Sequence, residues 1–182
     1  MIKLDYLPYV PSPNKSSRDG GVKPTWIVLH AMQGTYLGSQ SWFKNPKSQV
    51  SAHYLVSKKG EVVCMVKPEQ KAWHTKNFNS VSLGIEMEDV PTVRGKADLK
   101  KNCLTDPNWC TDLELNAVAE LVATLMVKYK ISLANVIGHN DPMLAKPPYN
   151  NDHKDPGPFF HWEKFRTLVK KHLEPPKEKK SE

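Results

Sequence analysis

Short apolar stretches alternate with polar, proline-rich ones along this chain, and one long stretch keeps a helical period. TWIVLH (25–30) is a run of apolar, partly β-branched residues that reads as a buried strand ending in His30. HYLVS (53–57), the turn Lys58-Lys59-Gly60 and EVVCMV (61–66) read as a hairpin. SLGIEME (82–88) is a further apolar strand, and it carries Glu86 where a hydrophobe is expected. NVIGH (135–139) is a short strand ending in His139, and Trp42 and Phe43 fall in a short helix stopped near Pro46. The clearest helix starts at Thr111, where Thr111 and Glu114 have the spacing of a capping box. Leu115, Val118, Leu121, Val122, Leu125, Met126 and Tyr129 then follow a helical stripe. Trp162 to His172 reads as a closing helix with Phe165, Leu168 and Val169 inward. Strands alternating with helices predict an α/β fold in a single domain with a mixed sheet.

The chain divides into an irregular N-terminal segment (1–23), a folded domain (24–173) and a charged tail (174–182). The first segment is rich in Pro, Ser, Asn and Gly. The tail sets Lys177, Lys179 and Lys180 against Glu174, Glu178 and Glu182 and reads as solvated. A length of 182 residues suits one ordinary domain with its own core. No apolar run approaches the roughly 18 residues of a membrane helix, and the N-terminus has no apolar segment of signal-peptide type.

Lys and Arg total 26 against 19 Asp and Glu, a formal net charge of +7. That surplus suits nucleic acid, an anionic membrane surface or an acidic polymer such as a bacterial wall. No nucleic-acid-binding motif accompanies it, so nucleic acid is not expected as a partner. Cys64 reads as a small core residue, whereas Cys103 and Cys110 are either a local bridge or free thiols.

Two apolar strands ending in histidine, His30 and His139, point to a crevice at the strand ends. With the acidic DPGP loop at Asp155 they make a three-ligand N/N/O metal site of the kind that zinc hydrolases use. A carboxylate on a buried strand is costly unless it is paired or working, which marks Glu86. Glu88, two residues on, is directed to the same face and is the alternative acid.

From IVLH through VSAHYLV, KAWH, SLGIEMED, VIGHND and DPGPFFHW, the chain resembles the zinc-dependent N-acetylmuramoyl-L-alanine amidases. That family includes amidase endolysins and peptidoglycan-recycling amidases and is related to the peptidoglycan recognition proteins; the match runs over about residues 24–170. The resemblance implies a central mixed β-sheet flanked by helices, with zinc in an open groove. It implies His30, His139 and Asp155 as the zinc ligands and Glu86 as the catalytic acid/base. Zinc in such a site lowers the pKa of its bound water towards ~7. Trp73 and His74 match a groove-lining pair, His74 as a contact to substrate or to the ligands, and His53 is read as structural beneath the groove.

One position departs from the family pattern. Lys commonly stands two residues before the third ligand, where a cation steadies the oxyanion. Here that residue is His153, with Lys154 beside Asp155, and Pro147, Pro148 and Asn151 lengthen the loop. Protonated His153 is the preferred replacement and Lys154 the alternative. The implied enzyme is a monomeric peptidoglycan hydrolase cutting between the lactyl group of N-acetylmuramic acid and L-alanine of the stem peptide. Without a signal peptide or wall-binding domain it resembles a phage endolysin, made in the cytoplasm and acting on the bacterial wall. A cytoplasmic recycling amidase and a non-catalytic peptidoglycan-binding module are the rival readings.

Overall fold

In the computed structural model, which describes residues 1–93, 96–145 and 150–175, the apolar runs assemble a five-stranded sheet. In chain order the strands are β1 (Lys15–Ser17), β2 (Trp26–Ala31), β3 (Tyr54–Val56), β4 (Val62–Cys64), β5 (Gln70–Ala72), β6 (Ser82–Met87), β7 (Thr92–Val93), β8 (Lys96–Ala97) and β9 (Val136–Gly138). The helices are α1 (Tyr36–Lys44), α2 (Asp112–Tyr129) and α3 (Trp162–Leu173). The central sheet runs β4-β3-β6-β2-β9. β2 is parallel to β6 and β9, β3 is parallel to β6, and only β4 is antiparallel, through the Lys58–Gly60 turn. Pro147, Pro148 and the tail from residue 176 lie outside the described residues.

Parallel strands covered on both faces need apolar residues at nearly every position, and β2 and β6 have them. On β2, Ile27, Leu29 and Ala31 join the core under α2 and α3; on β6, Leu83, Ile85 and Met87 do the same. The intervening positions, Val28 and His30 on β2 and Gly84 and Glu86 on β6, turn to the opposite face. Phe43 of α1 packs on that face with Leu55, Val63 and Met65. A one-residue slip of either strand would turn His30 or Glu86 into the main core.

Local signals explain the ends of α2. The Thr111 side chain accepts from the Glu114 backbone N–H, capping the helix. The reciprocal half of the predicted capping box does not form: the Glu114 carboxylate turns inward, fully buried, and neither oxygen has a hydrogen-bond partner. Lys130, in the left-handed region with φ of 57°, terminates the helix.

The N-terminal segment, expected to be irregular, holds more order than that. β1 pairs antiparallel with β5, and the buried Arg18 donates to the Pro68, Asn79, Ser80 and Ser82 carbonyls. A three-residue strand is too short for its period to show. Cys64, Cys103 and Cys110 are all free thiols, and burial pushes the Cys103 thiol up to about 12. Among the described residues no helix is long and apolar enough to cross a membrane.

Candidate metal centre

The centre is assembled from three neighbouring strands and one loop. His30 is on β2 and Glu86 is its register partner on β6. β9 flanks β2 on the other side, Gly138 pairing with Leu29, and the His139 N–H donates to the Leu29 carbonyl at 3.0 Å. The loop before α3 brings Asp155, whose carbonyl accepts from the Asn140 N–H at 2.9 Å. Asn151 fastens this loop, its Nδ2 donating to the His139 carbonyl at 2.7 Å and to the Asp141 carbonyl at 3.0 Å. Asp141 itself is a turn residue that accepts from the Met143 N–H.

One donor atom from each of His30, His139 and Asp155 lies within 4.8 Å of the other two, and all three residues are buried. His30 Nδ1 is 3.0 Å from His139 Nδ1 and 3.3 Å from Asp155 Oδ2, and His139 Nδ1 is 3.3 Å from Asp155 Oδ1. Burial by itself would raise the Asp155 pKa, but the His139 and His30 contacts outweigh it and hold the carboxyl well below the usual carboxylate range. Burial lowers the His139 pKa. Two converging imidazole nitrogens and a carboxylate whose buried Oδ1 has no hydrogen-bond partner form a donor set suited to zinc. The residues fit a zinc ion.

Glu86 is buried beside them. Burial, reinforced by the Asp155 and Asp89 carboxylates, raises its pKa well above the usual value. Glu88 is committed elsewhere: its carboxylate accepts from the Tyr36 N–H at 2.9 Å, at the start of α1, and from the Lys58 N–H at 3.0 Å. Two carboxylates that the alternation puts on one face are thus separated by what surrounds the end of β6.

A groove crosses the centre in two arms. One, about 320 Å³, is lined by Glu86, Trp42 and Gln33 among others. The other, about 370 Å³, is lined by Gln49, Lys76, Asn77, Asn150 and Asn151. Trp73, His74, His139 and His153 border both. Trp73 is half-buried and anchored by its indole N–H on Ser16 Oγ at 3.1 Å. His74 Nδ1 lies 3.0 Å from His30 Nε2.

His153 stacks on His139, ring centroids 3.6 Å apart, with Nδ1 3.8 Å from Asp155 Oδ1. Burial and the neighbouring His139 lower its pKa, which disfavours the cationic form expected from the sequence. Lys154 is exposed and lines neither arm. His53 lies buried below the groove, accepting from the Gly84 N–H at Nδ1, with Nε2 3.1 Å from the Gln70 carbonyl. Burial and Arg18 push its pKa down to about 3.

Sequence reading did not single out Trp42, Gln33, Gln49 or Lys76 as groove residues. Gln33, Gln49 and Lys76 all have positive φ, a backbone state that costs energy outside glycine and gathers at working sites. No spacing rule announces it, whereas an aromatic on an exposed helix face is a visible signal for Trp42.

The profile of the N-acetylmuramoyl-L-alanine amidase family matches residues 20–158. The chain is 32% identical over 162 residues to N-acetylmuramoyl-L-alanine amidase A of Achromobacter lyticus, covering 79% of this chain and 81% of that one. It is 27% identical over 187 residues to the 1,6-anhydro-N-acetylmuramyl-L-alanine amidase AmpD of Salmonella typhimurium, covering 88% of each. Among solved structures, a selenomethionine derivative of AmpD superposes with a TM-score of 0.65 at 25% identity, over 90% of this chain and 94% of that one.

Proposed function

The chain belongs to the N-acetylmuramoyl-L-alanine amidase family, and from that premise we propose that it hydrolyses the amide joining the lactyl group of N-acetylmuramic acid to L-alanine of the stem peptide. The observation that carries the reading is the meeting of His30, His139 and Asp155 within 4.8 Å, with Glu86 beside them on the neighbouring strand. Residues 24–173 are the catalytic domain, with 1–23 strapped along it.

His30, His139 and Asp155 would hold zinc. When bound, zinc supplies a Lewis acid that polarises the amide carbonyl and makes water acidic enough to ionise near neutral pH. Glu86 takes the proton from the attacking water and delivers it to the alanine nitrogen as the C–N bond breaks. Its buried surroundings favour the protonated form, which suits the donating half of that cycle. His153 offers a ring N–H to the oxygen on which negative charge gathers. Trp73 presents its ring face to the sugar.

The substrate is peptidoglycan or the muropeptides derived from it. Action on the wall polymer, as in an endolysin, is supported by the net charge of +7 and by the two arms reaching either side of the centre. The likeness to 1,6-anhydro-N-acetylmuramyl-L-alanine amidases supports a second reading, recycling of soluble muropeptides.

Purified peptidoglycan and soluble anhydro-muropeptides are incubated with the protein, with and without chelator and zinc, beside Glu86→Ala. The expected result is release of peptides with free L-alanine amino termini, lost on chelation and in the variant. The faster substrate assigns the role. A zinc-loaded wild type that releases nothing from either substrate overturns the hydrolase reading in favour of a binding module.

A further inference from the structure

A neutral imidazole has one proton, so a metal-binding histidine must keep that proton on the ring nitrogen facing away from the metal. The hydrogen-bond partner of that second nitrogen sets the tautomer. At His30 the partner is another histidine, with Nε2 3.0 Å from His74 Nδ1. His74 Nε2 in turn lies 3.2 Å from Ser82 Oγ, and the Ser82 hydroxyl donates to the Phe78 carbonyl at 2.6 Å.

The direction of every bond in this row follows from its far end. A hydroxyl has a single proton, and Ser82 gives it to Phe78. Its oxygen therefore accepts from His74, which carries its proton on Nε2. A neutral imidazole has only that one proton, so His74 Nδ1 is an acceptor. His30 Nε2 must then be the donor. That leaves His30 Nδ1 as a bare lone pair, aimed at His139 and Asp155.

Gly84 makes room for the row. It lies between Ser82 and Glu86 on the same face of β6, and a Cβ there would stand 2.7 Å from His74 Cγ and Nδ1. The His74 backbone is held by its N–H donating to Asn79 Oδ1 at 2.9 Å. Resting on the reading of His30 as a metal ligand, we propose that Ser82 and His74 are positioning residues: a row of ordered protons from the Phe78 carbonyl to His30 that fixes the Nε2–H tautomer and thereby sets zinc affinity.

Zinc affinity is measured by competition with a fluorescent chelator for wild type, Ser82→Ala, Ser82→Thr and Gly84→Ala. The His30 tautomer is read from ring ¹⁵N shifts of the metal-free proteins at about pH 8, where an ordinary imidazole is neutral. Ser82→Ala releases His74 to carry its proton on Nδ1, and Gly84→Ala displaces its ring. Both are expected to weaken zinc binding about 10- to 100-fold and to move the His30 proton towards Nδ1, whereas Ser82→Thr retains the wild-type tautomer. Variants that bind zinc as tightly as wild type, or that lose stability with His30 still protonated on Nε2, overturn the relay and leave the metal centre standing. A wild type with no zinc affinity overturns both.

Discussion

His30 and Glu86 stand side by side as register partners on adjacent parallel strands. This one pairing puts a histidine of the candidate metal centre and a buried carboxylate on the same sheet face, held by two strands whose residues are almost all buried. The placement of His30 against Glu86 is therefore that of strand register, while Asp155 comes from the loop that Asn151 fastens.

Replacement of Glu86 by Gln keeps the shape of the side chain and removes its capacity to cycle a proton. We expect kcat to fall about 10²- to 10⁴-fold while zinc content stays at the wild-type level. Metal analysis alongside turnover of a soluble muropeptide checks both. Loss of zinc together with activity would reassign Glu86 to the ligand set.

His153 and Lys154 are separable. His153 stacks on His139 at the groove, while Lys154 is exposed outside it. His153→Ala is expected to reduce kcat about 10²- to 10³-fold, and Lys154→Ala to leave it near wild type. The opposite ranking in steady-state kinetics would transfer oxyanion stabilisation to Lys154.

Trp42 is 55% exposed on α1 and borders the arm that contains Glu86. Its truncation to Ala removes a platform for substrate with little effect on the fold. KM should rise roughly 2- to 10-fold, with stability changed by no more than ~0.5 kcal/mol. Thermal melts and kinetics on muropeptide test it, and an unchanged KM would take Trp42 out of the binding surface.

Glu114 is fully buried, and burial pushes its pKa up to about 8 against an opposing pull from Lys58. The Glu88 N–H and the Cys110 thiol, near it but outside hydrogen-bond geometry, bring it part of the way back. Because the folded value lies above the unfolded one, its contribution is full below about pH 4.3 and is lost as pH rises through about 8. Glu114→Gln should therefore stabilise the protein increasingly across that window, by about 1–3 kcal/mol at its upper end. Urea denaturation at several pH values measures the difference, and a difference independent of pH would contradict the assignment.

His53 works in the other direction. Its folded pKa of about 3 lies below the ordinary 6.5, so its contribution is complete above pH 6.5 and is lost as pH falls through about 3. Acid should weaken the wild type over this range more steeply than His53→Gln, which has no proton to gain. Parallel denaturation curves for the two proteins between neutral pH and about pH 4 would show that another group governs acid stability.

Much of the centre was legible in the sequence because buried parallel strands tolerate so few polar residues. In IVLH, LGIEM and VIGH the intruders His30, Glu86 and His139 stand out against apolar neighbours, and Thr111 marks the start of α2 for an equally local reason. Alternation could not separate Glu86 from Glu88, since both belong to one face; only the Tyr36 and Lys58 amides, brought in by other segments, do so. The same holds for β1 against β5, for Arg18 among four carbonyls and for the His74 ring against His30, 44 residues away. Periodicity and capping act between residues a few positions apart, so the sequence by itself determined the elements and the residues that break their patterns. Which of those residues meet is decided by the packing of distant segments, where burial and unmet hydrogen bonds select the partner, and only the tertiary structure holds that information.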